Sequence, residues 1–550
     1  MTRAATPSEG QRVVAVTGGG GGIGAAIAEE LGRQGAFVVT MDPLVSLDGT
    51  ERLPTPEETT AGRIVAAGGS ARASSVSVTD GAAVRELFDE LGRLDAVVNV
   101  AGISRPTSFA RGSEEDWHDV LAVHLDGYLN VLGAALPIMA DAGHGRILGV
   151  TSGSGWRQAD AGAYSCAKRA VAALTWQIGR LAPPGVVVNA ISPIAVTRMV
   201  TAALGRAQPK AAGGGSKATG GLSLGSMPEP DELGPFGAHL VGEDLSWCSG
   251  RVFFAGGSEV ALIDEPRLLE VVPTDGAGSL AQVLEVVIPG ALAPAEARQA
   301  SGGGSNPRFV GVLDGPEGVL PPGEVASCAI IADDPAVAAA IGAALELRGV
   351  ASMCISAGEA GPGFQGAADA LVAAATRVGA LDAVVVALRG AAPAASAGSG
   401  WARVLSEHAG VAERIHADAG WARAAADHAR AGGRPLRLVT ATDATTAGGR
   451  SRAQASAQLA RAARGATDDR VSAFALSLEG GTGLATGELV AHLVGSAEAT
   501  ALAGAELVAG AGWLGLRSHP RPGGSVTLGR PSIPDWFDDT LRRVVEGEPR

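Results

Sequence analysis

Tyrosine is almost absent from this chain. Its 550 residues include two, Tyr128 and Tyr164, and aromatic residues together make up only 4%. A core with so few rings must be filled by Ala, Val and Leu, as expected of parallel sheets covered by helices. Cysteine is also scarce. The four (Cys166, Cys248, Cys328, Cys354) are scattered without CxxC spacing, which excludes a disulfide framework and fits a reduced, cytosolic chain with no metal site. No stretch of about 18 uncharged apolar residues stands out, so no membrane span is expected. Met1–Arg12 is too short and polar for a signal peptide. Positive charge is in deficit, and a net charge of -14 argues against a nucleic-acid partner, whose phosphates would be repelled.

Glycine, in contrast, is abundant at 80 residues, about twice its usual share of ~7%. The length predicts roughly two to four domains. The first glycine cluster is informative through its position. Val13–Val16 is an apolar run fit for one buried parallel strand, Thr17–Gly24 (TGGGGGIG) follows at once, and Ala25–Arg33 has helical composition. Strand, glycine turn and helix in that order let a pyrophosphate approach the backbone and lie at a helix N-terminus. The next strand, Ala36–Met41, ends at Asp42. An acid there accepts hydrogen bonds from ribose hydroxyls and repels a 2′-phosphate, which favours NAD over NADP. A third buried strand, Leu94–Val98, runs into Asn99-Val100-Ala101-Gly102. Its small residues leave room for an adenine, and Asn99 is suited to tie the strand end to its neighbours.

Gly145–Lys168 carries the candidate chemistry. Arg146–Val150 reads as a strand with Ser152 at its C-terminal edge, where open α/β sheets place ligands. Tyr164 and Lys168, four apart, share a helix face. A phenol is a poor base at neutral pH unless a nearby cation favours the phenolate, and Lys168 is expected to supply that charge. Ser152 would donate to a substrate oxygen, and Thr151 is its rival. The chemistry that suits this set is hydride transfer on an alcohol or ketone.

TGGGGGIG at 17–24, NVAG at 99–102, Ser152, YSCAK at 164–168 and VVVNAISP at 186–193 together resemble the short-chain dehydrogenase/reductase family over residues 11–257. The resemblance implies a doubly wound α/β fold with strand order 3-2-1-4-5-6-7. It implies Tyr164 as acid/base, Lys168 as its partner and as a ribose ligand, Ser152 as substrate anchor, and His124 in a proton relay where the family commonly has Asn. Gly18, Gly22, Ile23, Gly24, Asp42, Val78, Asn99, Ala101, Gly102, Tyr164, Lys168, Pro193 and Thr197 would contact the cofactor. Some departures are visible: Ser77 stands where an Asp usually lies beneath the adenine, Pro193-Ile194 replaces Pro-Gly, and Ser152 to Tyr164 is one residue shorter than usual. His124, the PIAVTRM turn at 193–199 and VSLDG at 45–49 look most like the dehydrogenase units of multifunctional enzyme type 2, which oxidise (3R)-hydroxyacyl-CoA thioesters.

Residues 326–512 echo the first copy. Val16–Gly35 aligns without a gap on Ile330–Gly349, LDAVV recurs at 94–98 and 381–385, and AHLVG at 238–242 and 491–495. Here the glycine turn has become Ile331–Ala338 with Asp333, Asp334 and Pro335. The notional Ser, Tyr and Lys positions fall on Ala441, Gln454 and Gln458. This predicts two Rossmann-type parallel-sheet domains in tandem, the second lacking cofactor and catalytic motifs. The expected boundaries are 1–260, a linker at 261–322 in which Leu268–Val272 and Leu284–Val287 form strands, a second domain at 323–518 and a tail at 519–550. Helices Val404–Arg430 and Ala453–Arg464 are expected to cover Cys166–Ile178, making a dimer within one chain, with a further homodimer left open. Residues 205–226, rich in Gly and Ser, read as a substrate-covering lid. The partner is then a small alcohol or ketone, with an acyl-CoA the narrower choice. Two rival readings are a nucleotide-sensing scaffold and a dehydratase or epimerase using the same Tyr/Lys pair.

Overall fold

The structure is a computed structural model and describes residues 6–157, 160–207, 227–274, 279–299, 325–390, 398–480, 484–528 and 532–547. The expected lid falls mostly at 208–226, outside the described residues. So does the linker from 300 to 324.

The strands in chain order are β1 (Val13–Thr17), β2 (Phe37–Met41), β3 (Ser70–Ser74), β4 (Ala96–Asn99), β5 (Gly145–Val150), β6 (Val186–Pro193), β7 (Val252–Gly256), β8 (Glu259–Asp264), β9 (Leu268–Pro273), β10 (Ser327–Ala332), β11 (Ala351–Ser356), β12 (Ala383–Ala387), β13 (Leu436–Asp443), β14 (Val471–Leu478), β15 (Glu506–Gly510), β16 (Trp513–Arg517) and β17 (Arg521–Thr527). They form two sheets among the described residues, ordered β17-β8-β7-β6-β5-β4-β1-β2-β3 and β11-β10-β12-β13-β14-β15-β16-β9. Both are doubly wound α/β sheets, parallel through β7 and β15 and then antiparallel. Strands β1, β4 and β5 are buried along their whole length, which is why they read as unbroken apolar runs rather than alternating ones.

The repeated pentapeptides do the same work in each copy. In LDAVV, the Asp95 carboxylate accepts the N–H of Val13 at 2.8 Å, and Asp382 accepts that of Ala326 at 2.9 Å and of Ser327 at 3.2 Å. The AHLVG segments sit against equivalent arginines. Arg146 donates to the carbonyl of Gly242 at 3.2 Å, and Arg437 donates to those of Leu493 at 2.8 Å and Ser496 at 2.6 Å.

The edges of the sheets depart from the expected boundaries. β8 leaves the first sheet and the chain continues as β9, the edge strand of the second. β16 leaves the second sheet and continues as β17, the edge strand of the first. Each copy therefore completes the other's sheet, a reciprocal exchange of the kind seen in domain swapping. Segments read as linker and tail are built into the sheets because an unpaired edge strand gains ladder hydrogen bonds wherever one is within reach. Leu284–Val287 is not a strand. It closes the helix Leu280–Val287, started by a capping box between Ser279 and Gln282. The single helix expected over Val404–Arg430 is two, Gly400–Glu407 and Val411–Gly432, broken where Gly410 takes φ +72°.

Two helical stretches, Glu114–Ala142 and Leu280–Ala297, do have the length and mean hydropathy (1.3) of a membrane span. The first packs Trp117, Leu125, Tyr128 and Leu132 into the main core. The second buries Leu284, Ile288 and Leu292 against the second sheet.

Helix Gly162–Leu181, which carries Tyr164, packs along helix Ala447–Ala466 of the second copy. At their contact the guanidinium of Arg169, fully buried, donates to Gln454 (3.0 Å), Gln458 (3.4 Å) and Glu506 (3.1 Å), and approaches His519 at 3.3 Å.

Candidate active site

The glycine turn is closed by close approach. Gly18 has φ +63°, and a Cβ there would lie 2.9 Å from the backbone nitrogen of Ala101. At Gly24 a Cβ would lie 2.2 Å from the carbonyl oxygen of Gly18. The helix that follows, Gly22–Arg33, has no side-chain cap and no acid in its first turn, so its orphan N–H groups face the turn unanswered. Thr197 lies beside it, its methyl 3.8 Å from where a Gly22 Cβ would be. Pro193 ends β6, four residues before Thr197. Asp42 accepts the N–H of Gly20 at 3.0 Å and of Leu44 at 2.9 Å, which fixes its carboxylate against the turn. Asn99 ties β4 to β1 as expected: Thr17 donates to its Oδ1 at 2.8 Å, and the same Thr17 oxygen accepts the N–H of Ala101 at 3.1 Å.

A cavity of about 530 Å³ opens along this edge. Gly18, Asp42, Ser77, Val78, Ala101 and Gly102 line it, and so do Arg52, Arg105 and Arg198. The sequence assigns none of these arginines to the site, because long charged side chains reach a cleft without a spacing pattern. Ser152, Tyr164 and Lys168 form a second cluster outside that lining. The two meet at Gly102, where a Cβ would fall 2.4 Å from Cε1 of His124, and the His124 ring in turn stands edge-on to Tyr164 at 5.0 Å.

His124 occupies a single π-turn, Ala122–Asp126, inserted in an otherwise α-helical stretch, a distortion that recurs at functional sites. Its Nε2 lies 2.8 Å from the carbonyl oxygen of Ile103, while Nδ1 is buried with no hydrogen-bond partner among the described residues. Burial, with the Lys168 charge nearby, brings its pKa down to about 3, so the ring is neutral.

Ser152 and Thr151 differ in their partners. Thr151 is buried and donates its hydroxyl to the carbonyl of Lys168 at 2.6 Å. Ser152 accepts from both the N–H (3.3 Å) and hydroxyl (3.2 Å) of Ser154, and its hydroxyl acts against the rise of the Tyr164 phenol's pKa.

The expected tuning of Tyr164 by Lys168 does not appear. Burial pushes the phenol up, and the groups that oppose this are the Ser152 hydroxyl and the Arg157 charge. The reason is that Lys168 is itself deeply buried. Desolvation brings its ammonium down to about 7, and it donates to the carbonyl of Val150 at 2.7 Å while standing 5.7 Å from the Tyr164 ring centre. Arg157 was not foreseen, since it lies in a loop with no motif.

The register corrects the assignment in the second copy. Asn99 pairs beside Gly149 and Val386 beside Thr440, so Gly149 answers to Thr440 and Ser152 to Asp443. Both long helices have 20 residues. Laid end to end, they place Gly449 at Tyr164 and Ala453 at Lys168. The strand-to-helix loop is shorter in the second copy, which a fixed-spacing alignment misses. Gln454 and Gln458 face the interface instead. The turn after β10 is filled from within: Asp334 caps the next helix through the N–H of Ala336 (2.9 Å) and pairs with Arg389 (3.2 Å), and Asp333 accepts the Arg389 N–H (3.0 Å). The first copy's helix begins without a side-chain cap, whereas the second copy's first turn gives an N–H to its own carboxylate.

The family model for short chain dehydrogenases matches residues 12–208. Short-chain reductase protein NovJ of Streptomyces niveus is 32% identical over 44% of this chain and 94% of its own length. Acetoacetyl-CoA reductase of Allochromatium vinosum is 30% identical over 44% of this chain and 94% of its own. Peroxisomal multifunctional enzyme type 2 of Mus musculus is 38% identical over 35% of this chain, but the match spans only 27% of that protein. With a doubly wound sheet, an uncapped glycine turn and relatives matched over nearly their whole length, this chain belongs to the short-chain dehydrogenase/reductase family of NAD(P)-using oxidoreductases.

Proposed function

We propose that the chain is an NAD-dependent oxidoreductase that interconverts a secondary alcohol and its ketone, with a 3-hydroxyacyl thioester as the substrate class. The observation that carries this reading is the run of contacts from the uncapped glycine turn through Gly102 and His124 to the Tyr164 ring, which stands 5.0 Å from His124. A cofactor fits these residues: the turn has no room for a side chain at Gly18, Gly19, Gly20 or Gly24, the helix after it lacks a side-chain cap, and the cavity beside it ends at a fixed carboxylate. Gly18, Gly22, Ile23 and Gly24 would hold the pyrophosphate, and Asp42, Val78, Ala101 and Gly102 the adenosine. Tyr164, Lys168, Pro193 and Thr197 would lie along the rest. When bound, NAD supplies a hydride acceptor.

The protein groups do the remaining work. Ser152 donates a hydrogen bond to the substrate oxygen and keeps it beside the phenol. Tyr164 takes the hydroxyl proton during oxidation and returns it during reduction. Lys168, with its pKa brought to about 7, exchanges a proton near neutrality, and the unpartnered Nδ1 of neutral His124 is an acceptor for a relay to solvent. The thioester class draws on the likeness to acetoacetyl-CoA reductase. The preference for NAD draws on Asp42, whose charge opposes a 2′-phosphate. Arg52 and Arg198 on the same cavity favour the competing reading, NADP.

The test is an NADH- and NADPH-linked screen of 3-hydroxyacyl thioesters of graded length on the parent and on Tyr164→Phe. Turnover is expected to fall by about 10²- to 10⁴-fold in the variant, with NADH binding retained by fluorescence titration. Unchanged turnover refutes the role of Tyr164. Higher kcat/KM with NADP selects the second reading.

A further inference from the structure

The loop Gly153–Arg157 links Ser152 and Arg157, the two groups whose polarity and charge favour the Tyr164 phenolate. Its start holds Ser152, through the N–H and hydroxyl of Ser154. Its end is Arg157, whose charge favours the phenolate. One side of the loop rests on the Tyr164 helix: a Cβ on Gly155 would lie 2.9 Å from the nitrogen of Arg169, and the fully buried Trp156 packs on Ala172, Ala173 and Trp176. The other side is held from the second copy. The buried amide nitrogen of Gln458 donates to the carbonyl of Ser154 at 3.0 Å and of Arg157 at 2.8 Å, and its oxygen accepts from Arg169 at 3.4 Å.

We infer that Gln458, supplied by the copy without cofactor and catalytic motifs, is a positioning residue for the reaction of the first copy. It touches no reacting atom. Its two N–H groups bracket the loop and set where the Ser152 hydroxyl and the Arg157 guanidinium stand relative to Tyr164. Neutral carbonyls facing a buried surface need donors, and Gln458 supplies one to each of these two. The active site is thus completed across the internal interface, which gives the second copy a physical role that does not depend on chemistry of its own. This inference rests on the proposed roles of Ser152 and Tyr164.

The test uses the full chain with Gln458→Met, which keeps the volume and removes both donors. The control is Gln454→Met. Gln454 is also buried, accepting from Arg169 at 3.0 Å and donating to Glu506 at 2.5 Å, but it has no bond to the loop. Gln458→Met is expected to lower kcat about tenfold, the effect of a small misplacement near the chemistry, with NADH affinity unchanged. Its pH–rate profile is expected to move to higher pH as Arg157 draws away from the phenol. The other groups facing that phenol, His124, Lys168 and Ser152, are the same in all variants. Gln454→Met is expected to lower the melting temperature and leave kcat and the pH profile unchanged. If Gln458→Met keeps the parent's kcat and profile while Tyr164→Phe is inactive, the inference is overturned. It is also overturned if both methionine variants lose turnover equally. A fully active Tyr164→Phe overturns the underlying reading instead. Should Gln458→Met not fold, Gln458→Asn, one methylene shorter, is read in the same way.

Discussion

Arg169→Met tests the coupling between the two copies. Arg169 is fully buried, and desolvation lowers its pKa only to about 10, so it is charged at neutral pH. Removing one member of a buried ion pair costs about 3–5 kcal/mol, because the remaining charge is left without compensation. Here Glu506 keeps Arg517 at 3.2 Å, which places the cost near the lower end, about 3 kcal/mol. Reciprocal exchange of β9 and β17 makes the two sheets unfold together. With an unfolding entropy of about 2.1 cal/mol/K per residue, 550 residues give about 1.2 kcal/mol/K and a drop in melting temperature of about 2.5 °C. Were the copies independent, half that entropy would be involved and the drop would be about 5 °C, confined to one of two transitions. Scanning calorimetry at pH 7 on parent and variant reads both quantities. Two separate transitions in the parent, or a variant that melts with the parent, would refute the coupling.

Two further predictions follow from the site's surroundings. Asp126 ends the π-turn that holds His124, and burial with the Glu413 charge raises its carboxyl to about 7. A folded pKa above the unfolded value of 3.8 means that its contribution to stability is complete below pH 3.8 and is lost as pH rises through about 7. Asp126→Asn is therefore expected to stabilise the chain more at pH 8 than at pH 5, by about 3 kcal/mol; equal urea midpoints for the variant and parent at pH 8 would exclude it. Gly24→Ala pushes a methyl against the Gly18 carbonyl and is expected to abolish NADH binding in a fluorescence titration, and retained affinity would show that the turn is not the cofactor cradle.

Much of the first copy was legible because its signals are local. A strand, a glycine turn and a helix follow one another within about thirty residues, and Tyr164 and Lys168 meet by helical spacing alone. The direction of the tuning was not legible. Spacing brings Lys168 near Tyr164, but burial of the ammonium and its bond to Val150 decide how much of its charge the phenol feels. The second copy shows the same limit, since matching by fixed spacing picked Gln454 and Gln458 where the register picks Gly449 and Ala453.

The amino-acid order alone therefore determined the doubly wound fold, its duplication, the site of the glycine turn and the loss of that turn in the second copy. Each depends on residues close in the chain, where sterics and periodicity act directly. The tertiary structure decided that Thr151 bonds the Lys168 carbonyl while Ser152 bonds Ser154, that the copies trade edge strands, and that Gln458 reaches the first copy's loop. Those outcomes depend on which groups are desolvated together. Arg169 and Glu506 are 337 residues apart, and no local pattern encodes the burial that pairs them.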